Sequence, residues 1–182
     1  YNGELYNQDD LLPKLDAPLE FNSDTLLLLK LLMKYKEDIL KELNGIFAFV
    51  YTHLDEVLIV RDMFGVKPLY YTLYHNDIIV ASEMKSILAY TNERVVDKEG
   101  LCELLGMGPS HSQSKTVFKG IYELKPGHYL KFKKGQSIED HTYYQLEAKP
   151  FHLNYEETKN RVRYLLDKAI VRQMVSDVGL ST

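Results

Sequence analysis

Residues 44–71, NGIFAFVYTHLDEVLIVRDMFGVKPLYY, limit the folds open to this chain more than any other stretch. Two runs rich in β-branched and aromatic residues, 46–52 and 57–60, are separated only by His53-Leu54-Asp55-Glu56. Apolar runs that short, so closely spaced, predict antiparallel neighbours joined by a hairpin. Leu69-Tyr70-Tyr71-Thr72-Leu73-Tyr74 predicts a third strand after Pro68, and residues 78–81 a fourth after the Asn76-Asp77 turn. Four short strands with little polar alternation need cover on both faces, which places them in a sheet inside a layered domain. Between the second and third strands, Arg61-Asp62-Met63-Phe64-Gly65-Val66-Lys67-Pro68 reads as a loop whose geometry is locked by an internal ion pair.

Composition narrows the function more than the fold. A chain of 182 residues suits one domain, or one domain and a piece of another, and its 45% hydrophobic content supplies a full core. The formal net charge is −4 with basic residues dispersed, which argues against nucleic acid and against an anionic membrane surface. The longest apolar run, 26–33, is interrupted by Lys30 and is too short to span a bilayer. A single cysteine rules out an internal disulfide and fits a reducing, cytoplasmic setting. No basic-then-apolar leader is present, and the chain opens at Tyr1 without a starting Met, so a fragment of a longer protein is expected.

Taken in order, Tyr1-Asn2-Gly3-Glu4-Leu5-Tyr6-Asn7 reads on its own as a strand end followed by an Asn-Gly turn. It also has chemical potential. A side-chain amide at Asn2 and a backbone N–H at Gly3 can point at one developing oxyanion, and glycine lets the backbone approach closely. Next, Ser23 or Asn22 caps an apolar helix over 26–35, with Asp24 in its first turn, where a carboxylate suits the positive end of the helix dipole. Further helices are predicted at about 36–43, 83–90 and 97–107. Cys102 lies in the last of these among Leu101, Leu104 and Leu105, and reads as a small core residue, not a nucleophile.

Residues 106–116, GMGPSHSQSKT, imitate a phosphate-binding loop, but Pro109 and Ser114 stand where its glycines are required, so a surface loop is expected. Strands at 116–122 and 128–132 flank the Leu124-Lys125-Pro126-Gly127 turn. Lys133-Lys134-Gly135 makes another hairpin, and Thr142-Tyr143-Tyr144 begins an exit strand. The longest helix is predicted at 155–175, with Val162, Leu165, Leu166, Ala169, Ile170 and Met174 on one face. His53, His75, His111, His128, His141 and His152 show no paired spacing, so no metal site is expected.

Several of these strings together resemble one family. Leu43-Asn44-Gly45-Ile46-Phe47-Ala48-Phe49, Arg61-Asp62 followed by Phe64-Gly65-Val66-Lys67-Pro68-Leu69-Tyr70-Tyr71, Ala81-Ser82-Glu83-Met84-Lys85 and the 118–130 segment resemble the glutaminase domain of glutamine-hydrolysing asparagine synthetases. These are class II glutamine amidotransferases. The fold so implied is an α+β, four-layer α/β/β/α sandwich of the N-terminal-nucleophile hydrolase type, with two mainly antiparallel sheets between helices. Residues 1–150 would form the glutaminase domain and 151–182 the first helix of an ATP-dependent α/β synthetase domain. Val175-Ser176-Asp177-Val178 and Leu180-Ser181 resemble the approach to that domain's pyrophosphate loop, with a shorter stretch between Asp177 and Leu180 than usual.

The resemblance further implies roles. Asn2 and Gly3 would form the oxyanion hole, and Glu4 and Asp24 would bind the α-ammonium of glutamine. The family pattern continues Ser-Asp-Thr-Glu, whereas here Leu26 follows Thr25, which weakens the helix cap without touching the ligand. The nucleophile would be an N-terminal cysteine upstream of Tyr1, as would the arginine that holds the substrate carboxylate, so the chain as written is expected to release no ammonia. ATP and Mg are implied for the synthetase part, with aspartate as its second substrate, and a homodimer is compatible with the family. Another class II amidotransferase, or a non-catalytic binding module of the same fold, stays open. The first residue of the mature protein separates enzyme from module.

Overall fold

The computed structural model describes residues 1–16, 23–108, 114–150 and 152–174. The Pro109–Gln113 part of the predicted surface loop and the pyrophosphate-loop approach after residue 174 lie outside them. The strands are β1 (Asn2–Leu5), β2 (Gly45–His53), β3 (Glu56–Arg61), β4 (Tyr70–Tyr74), β5 (Asp77–Ala81), β6 (Tyr122–Glu123), β7 (His128–Lys133) and β8 (Glu139–Thr142). They form a five-stranded sheet in the order β1-β2-β3-β7-β8 and a three-stranded sheet in the order β5-β4-β6. The α-helices are α1 (Gln8–Leu11), α2 (Asp24–Tyr35), α3 (Met84–Thr91), α4 (Lys98–Met107) and α5 (Tyr155–Gln173). The expected α+β class with two antiparallel sheets is what the chain adopts. Residues 1–4 and 46–145 make one compact unit, and the described parts of 5–45 and 146–182 make a second.

In the first unit, the predicted meander forms in register. β2 pairs with β3 from Ala48 opposite Arg61 to His53 opposite Glu56, and β4 pairs with β5 from Tyr70 opposite Ala81 to Tyr74 opposite Asp77. The second hairpin turns through His75 and Asn76, at φ 48° and 65°, the paired left-handed residues that match the twist of the flanking strands. Ala48, Ile59 and Leu130 from the larger sheet bury themselves with Leu69 and Leu124, and Tyr71, Ile78 and Val80 from the smaller sheet pack against them. Burial of that apolar surface is the main force joining the two sheets.

Three expectations fail in this unit. The strand predicted at 116–122 shrinks to Tyr122–Glu123, with single bridges from Lys115 to Tyr122 and from Val96 to Phe118. The buried Thr116 hydroxyl lies 3.0 Å from the Phe118 carbonyl and 2.9 Å from that of Ile121, and Gly120 turns the chain at φ 80°. Local side-chain bonds of this kind offer the backbone an alternative to the ladder. Cys102 is exposed, not in the core. Helix α4 docks through Gly100, where an added Cβ would overlap the Thr116 carbonyl oxygen and lie 2.8 Å from its carbon. Leu101, Leu104 and Leu105 remain exposed beside the cysteine. The predicted exit strand also moves: β8 ends at Thr142, and the Tyr143 and Tyr144 N–H groups both donate to Gly127 O, at 2.9 and 3.1 Å.

The second unit is built on α2, whose Leu27, Leu28, Leu31 and Leu32 are buried with Leu11, Ile39, Leu40 and Leu43. Lys36, at φ 51°, ends that helix, and residues Lys36–Glu42 continue as 3₁₀ turns in place of the α-helix expected there. Buried Asn7 ties the chain together on both sides: its Nδ2 donates to Glu42 O at 2.9 Å and its Oδ1 accepts the Asn44 N–H at 3.0 Å. Helix α5 opens with a reciprocal capping box between Asn154 and Glu157, buries none of its residues, and leaves Val162, Leu165, Leu166 and Ile170 about half exposed. Among the described residues no helix is long and apolar enough to cross a membrane.

Candidate active site

Asn2 and Gly3 open β1 in the first unit. Asn2 is exposed and Gly3 half-buried. Gly3 lies flat on β2: a Cβ there would overlap the Ile46 carbonyl oxygen and stand 2.6 Å from Phe47 Cα and 2.8 Å from Phe47 Cβ. Only glycine fits an approach that close. Glu4 follows, exposed.

Behind Phe47 stands Asp62, fully buried at the end of β3. The Asp62 N–H donates to Phe47 O at 2.8 Å, and the Phe47 N–H donates back to Asp62 Oδ2 at 3.3 Å. The same carboxylate gathers the loop after it. Oδ1 accepts the N–H groups of Phe64 and Val66, each at 3.0 Å, and Oδ2 accepts that of Lys67 at 3.0 Å. Burying a carboxylate is costly unless its oxygens are satisfied, and here backbone donors do so. Arg61 works on the loop from the other side, donating to Lys67 O at 2.8 Å, Gly65 O at 2.8 Å and Leu124 O at 2.6 Å. Its ion pair runs to Glu123, 2.8 Å away and beyond the loop, so the lock expected inside the loop is made of backbone hydrogen bonds instead. Tyr143 completes the arrangement, its hydroxyl donating to Arg61 O at 2.8 Å. Burial, and then the nearby Asp62, push the Tyr143 phenol far above the usual tyrosine range.

Asp24 belongs to the second unit. It is the first residue of α2, with Ser23 as the N-cap: Ser23 Oγ accepts the Leu26 N–H at 3.4 Å. Of the two cap candidates, Ser23 fills the place. Asp24 is half-buried, and its Oδ2 accepts the Leu5 N–H at 3.3 Å. Its carboxylate therefore serves a strand as well as sitting at a helix N-terminus.

The first unit also holds a cleft of about 440 Å³, walled by Tyr71, Tyr74, Tyr122, Glu93, Lys119 and Asp140 among others. Asn2, Gly3 and Glu4 are not among its walls. The part of the arrangement that sequence reasoning missed is Asp62. The signal was available, since an aspartate followed by a Gly- and Pro-containing loop suits a collector of backbone N–H groups.

The α+β architecture with two antiparallel sheets is one that a solved amidotransferase shares. A glutamine phosphoribosylpyrophosphate amidotransferase from B. subtilis superposes with a TM-score of 0.54 over 80% of this chain and 28% of its own, at 20% identity, a likeness of fold alone. The chain belongs to the glutamine amidotransferase domain family, whose model matches residues 1–144. Glutamine-hydrolysing asparagine synthetase 3 of Bacillus subtilis is 40% identical over 188 residues, covering 100% of this chain and 30% of that protein. Amidase chry2 of Gibberella zeae is 33% identical, covering 99% of this chain and 27% of that protein. The chain thus spans about 30% of the length of such relatives.

Proposed function

We propose that the whole protein is a glutamine-hydrolysing asparagine synthetase, and that residues 1–150 are its glutaminase domain. The observation that carries the reading is the 40% identity to such a synthetase along the full length of this chain. In this reading the thiolate of an N-terminal cysteine, its proton taken by the cysteine's own α-amine, adds to the side-chain carbonyl of glutamine. The carbonyl oxygen gains negative charge as the tetrahedral intermediate forms, and the Asn2 amide and Gly3 N–H are the donors that stabilise it. The cysteine's α-ammonium then protonates the leaving nitrogen, and expulsion of ammonia leaves a thioester, which water hydrolyses to glutamate and the free thiol. Glu4 and Asp24 are the carboxylates for the substrate's α-ammonium, each acting as a charged hydrogen-bond acceptor.

Residues 151–182 open the synthetase domain, where ammonia meets an aspartate activated by ATP. Among the described residues no group of three or more His, Cys, Asp or Glu side chains is placed to hold a metal ion; ATP and Mg are proposed for the synthetase domain of the whole protein. A cytoplasmic homodimer completes the proposal, and light scattering of the purified whole protein checks its assembly. Incubation of that protein with glutamine, aspartate, ATP and Mg tests the function. Equal amounts of glutamate and asparagine are expected. Glutamate without asparagine would assign the ammonia to another acceptor, and no glutamate at all would leave a binding module.

A further inference from the structure

We propose that Asp62 is a positioning residue for the Asn2–Gly3 oxyanion pair, acting through the backbone of Phe47. The inference rests on the glutaminase reading for its chemistry, and on geometry within the first unit for its mechanism. Gly3 has no side chain to hold it, and its place is set by the surface it presses on, the Ile46–Phe47 backbone. That surface lies just past the last paired residues of the β2–β3 ladder, Ala48 and Arg61. A strand end of this kind frays unless something beyond the ladder fixes it.

Asp62 supplies the fixing. It both donates to and accepts from the Phe47 peptide, while the same carboxylate holds Phe64, Val66 and Lys67. The loop so gathered is anchored in turn by Arg61 to Leu124 and Glu123. The Phe47 ring is fully buried, so β2 cannot shift without opening the core. Phe47 is thereby clamped from its N–H, its C=O and its side chain, and Gly3 inherits that position. An oxyanion donor must stand within a few tenths of an ångström of the developing charge, and a misplacement of about 1 Å can cost on the order of 10²-fold in rate. A buried carboxylate at this point does more than a ladder pair requires.

Asp62→Asn is the direct test, because it keeps the shape and replaces one acceptor oxygen with an NH₂ group. Whichever way the amide turns, that group faces backbone N–H donors. In the whole protein, kcat for glutamine hydrolysis should fall about 10- to 100-fold with KM changed less than about threefold. The Asn2→Ala/Asp62→Asn double variant should be about as slow as Asn2→Ala alone, because both changes disable one device. Losses that multiply, or a KM that rises with kcat unchanged, would overturn the proposal. Gly65→Ala serves if Asp62→Asn fails to fold: it keeps the carboxylate but strains the loop, since Gly65 has φ +67° and its Cβ would lie 2.8 Å from Pro126 Cγ. It should show the same split between kcat and KM, and a normal kcat would count against the clamp.

Hydrogen exchange supplies an arm that needs no turnover. The peptides covering 1–5 and 46–49 should exchange faster in either variant, while the β4–β5 hairpin stays as in the parent. Unchanged exchange in 1–5 would overturn the coupling even in an active enzyme. A parent protein that releases no ammonia, with exchange in 1–5 raised as expected, would sink the glutaminase reading and leave the coupling standing.

Discussion

The hydroxyl of Tyr143 donates a 2.8 Å hydrogen bond to the carbonyl of Arg61, and it does so from a buried position that keeps the phenol neutral. A tyrosine whose folded-state pKa is raised above its ordinary value of 10.0 adds its full stability below that pH. Above it, the unfolded chain ionises and the folded chain does not, so stability is lost as pH rises. Urea midpoints should therefore fall between about pH 9 and pH 11. Tyr143→Phe should cost about 1 kcal/mol at neutral pH through the lost hydrogen bond and flatten part of the alkaline decline. Part of the decline should persist, because burial also raises Tyr70 and Tyr71. An identical alkaline slope in parent and variant would contradict the burial argument.

Cys102 should react with a thiol reagent in the native state as fast as a small exposed thiol does, and Cys102→Ser should change stability by less than about 0.5 kcal/mol. Gly100→Ala, two residues away in the same helix, should cost about 1–3 kcal/mol by driving a methyl into the Thr116 backbone. Thermal denaturation of the two variants side by side is the check, and equal effects would mean α4 docks by another face.

Ser23 and Asp24 are neighbours with separable roles. Ser23→Ala should lower stability by about 1 kcal/mol through the lost Leu26 contact and leave glutamine use unchanged. Asp24→Asn should change stability by well under that amount, since asparagine still offers an oxygen to the Leu5 N–H, yet raise the KM for glutamine. A normal KM with a large fall in melting temperature would assign Asp24 to the helix end alone.

The sequence made the meander legible because β-branched and aromatic runs, turn residues and spacing all agree over 46–81. It made α2 legible because Ser23 and Asp24 mark its start before a leucine-rich run. Periodicity identified an apolar face on α4 and α5 but carried no information on whether a partner surface covers it, and so Cys102 was misplaced. The 116–122 strand failed for a local reason: the Thr116 hydroxyl and the Gly120 turn outcompete a ladder that composition alone favours. Of the candidate site residues, Asn2-Gly3 and Asp24 stand out in the sequence as short motifs. The link from Gly3 through Phe47 to Asp62 was not, since residues 3, 47 and 62 meet only after the sheet has formed.

Glutamine turnover by the whole protein, compared with that of its Asn2→Ala variant at saturating glutamine, tests the central claim most directly. Loss of an oxyanion donor should lower kcat for ammonia release by about 10²-fold or more while the protein stays folded with an unchanged melting temperature. Ammonia release at the parent rate would contradict the account and return Asn2-Gly3 to the status of a strand-end turn.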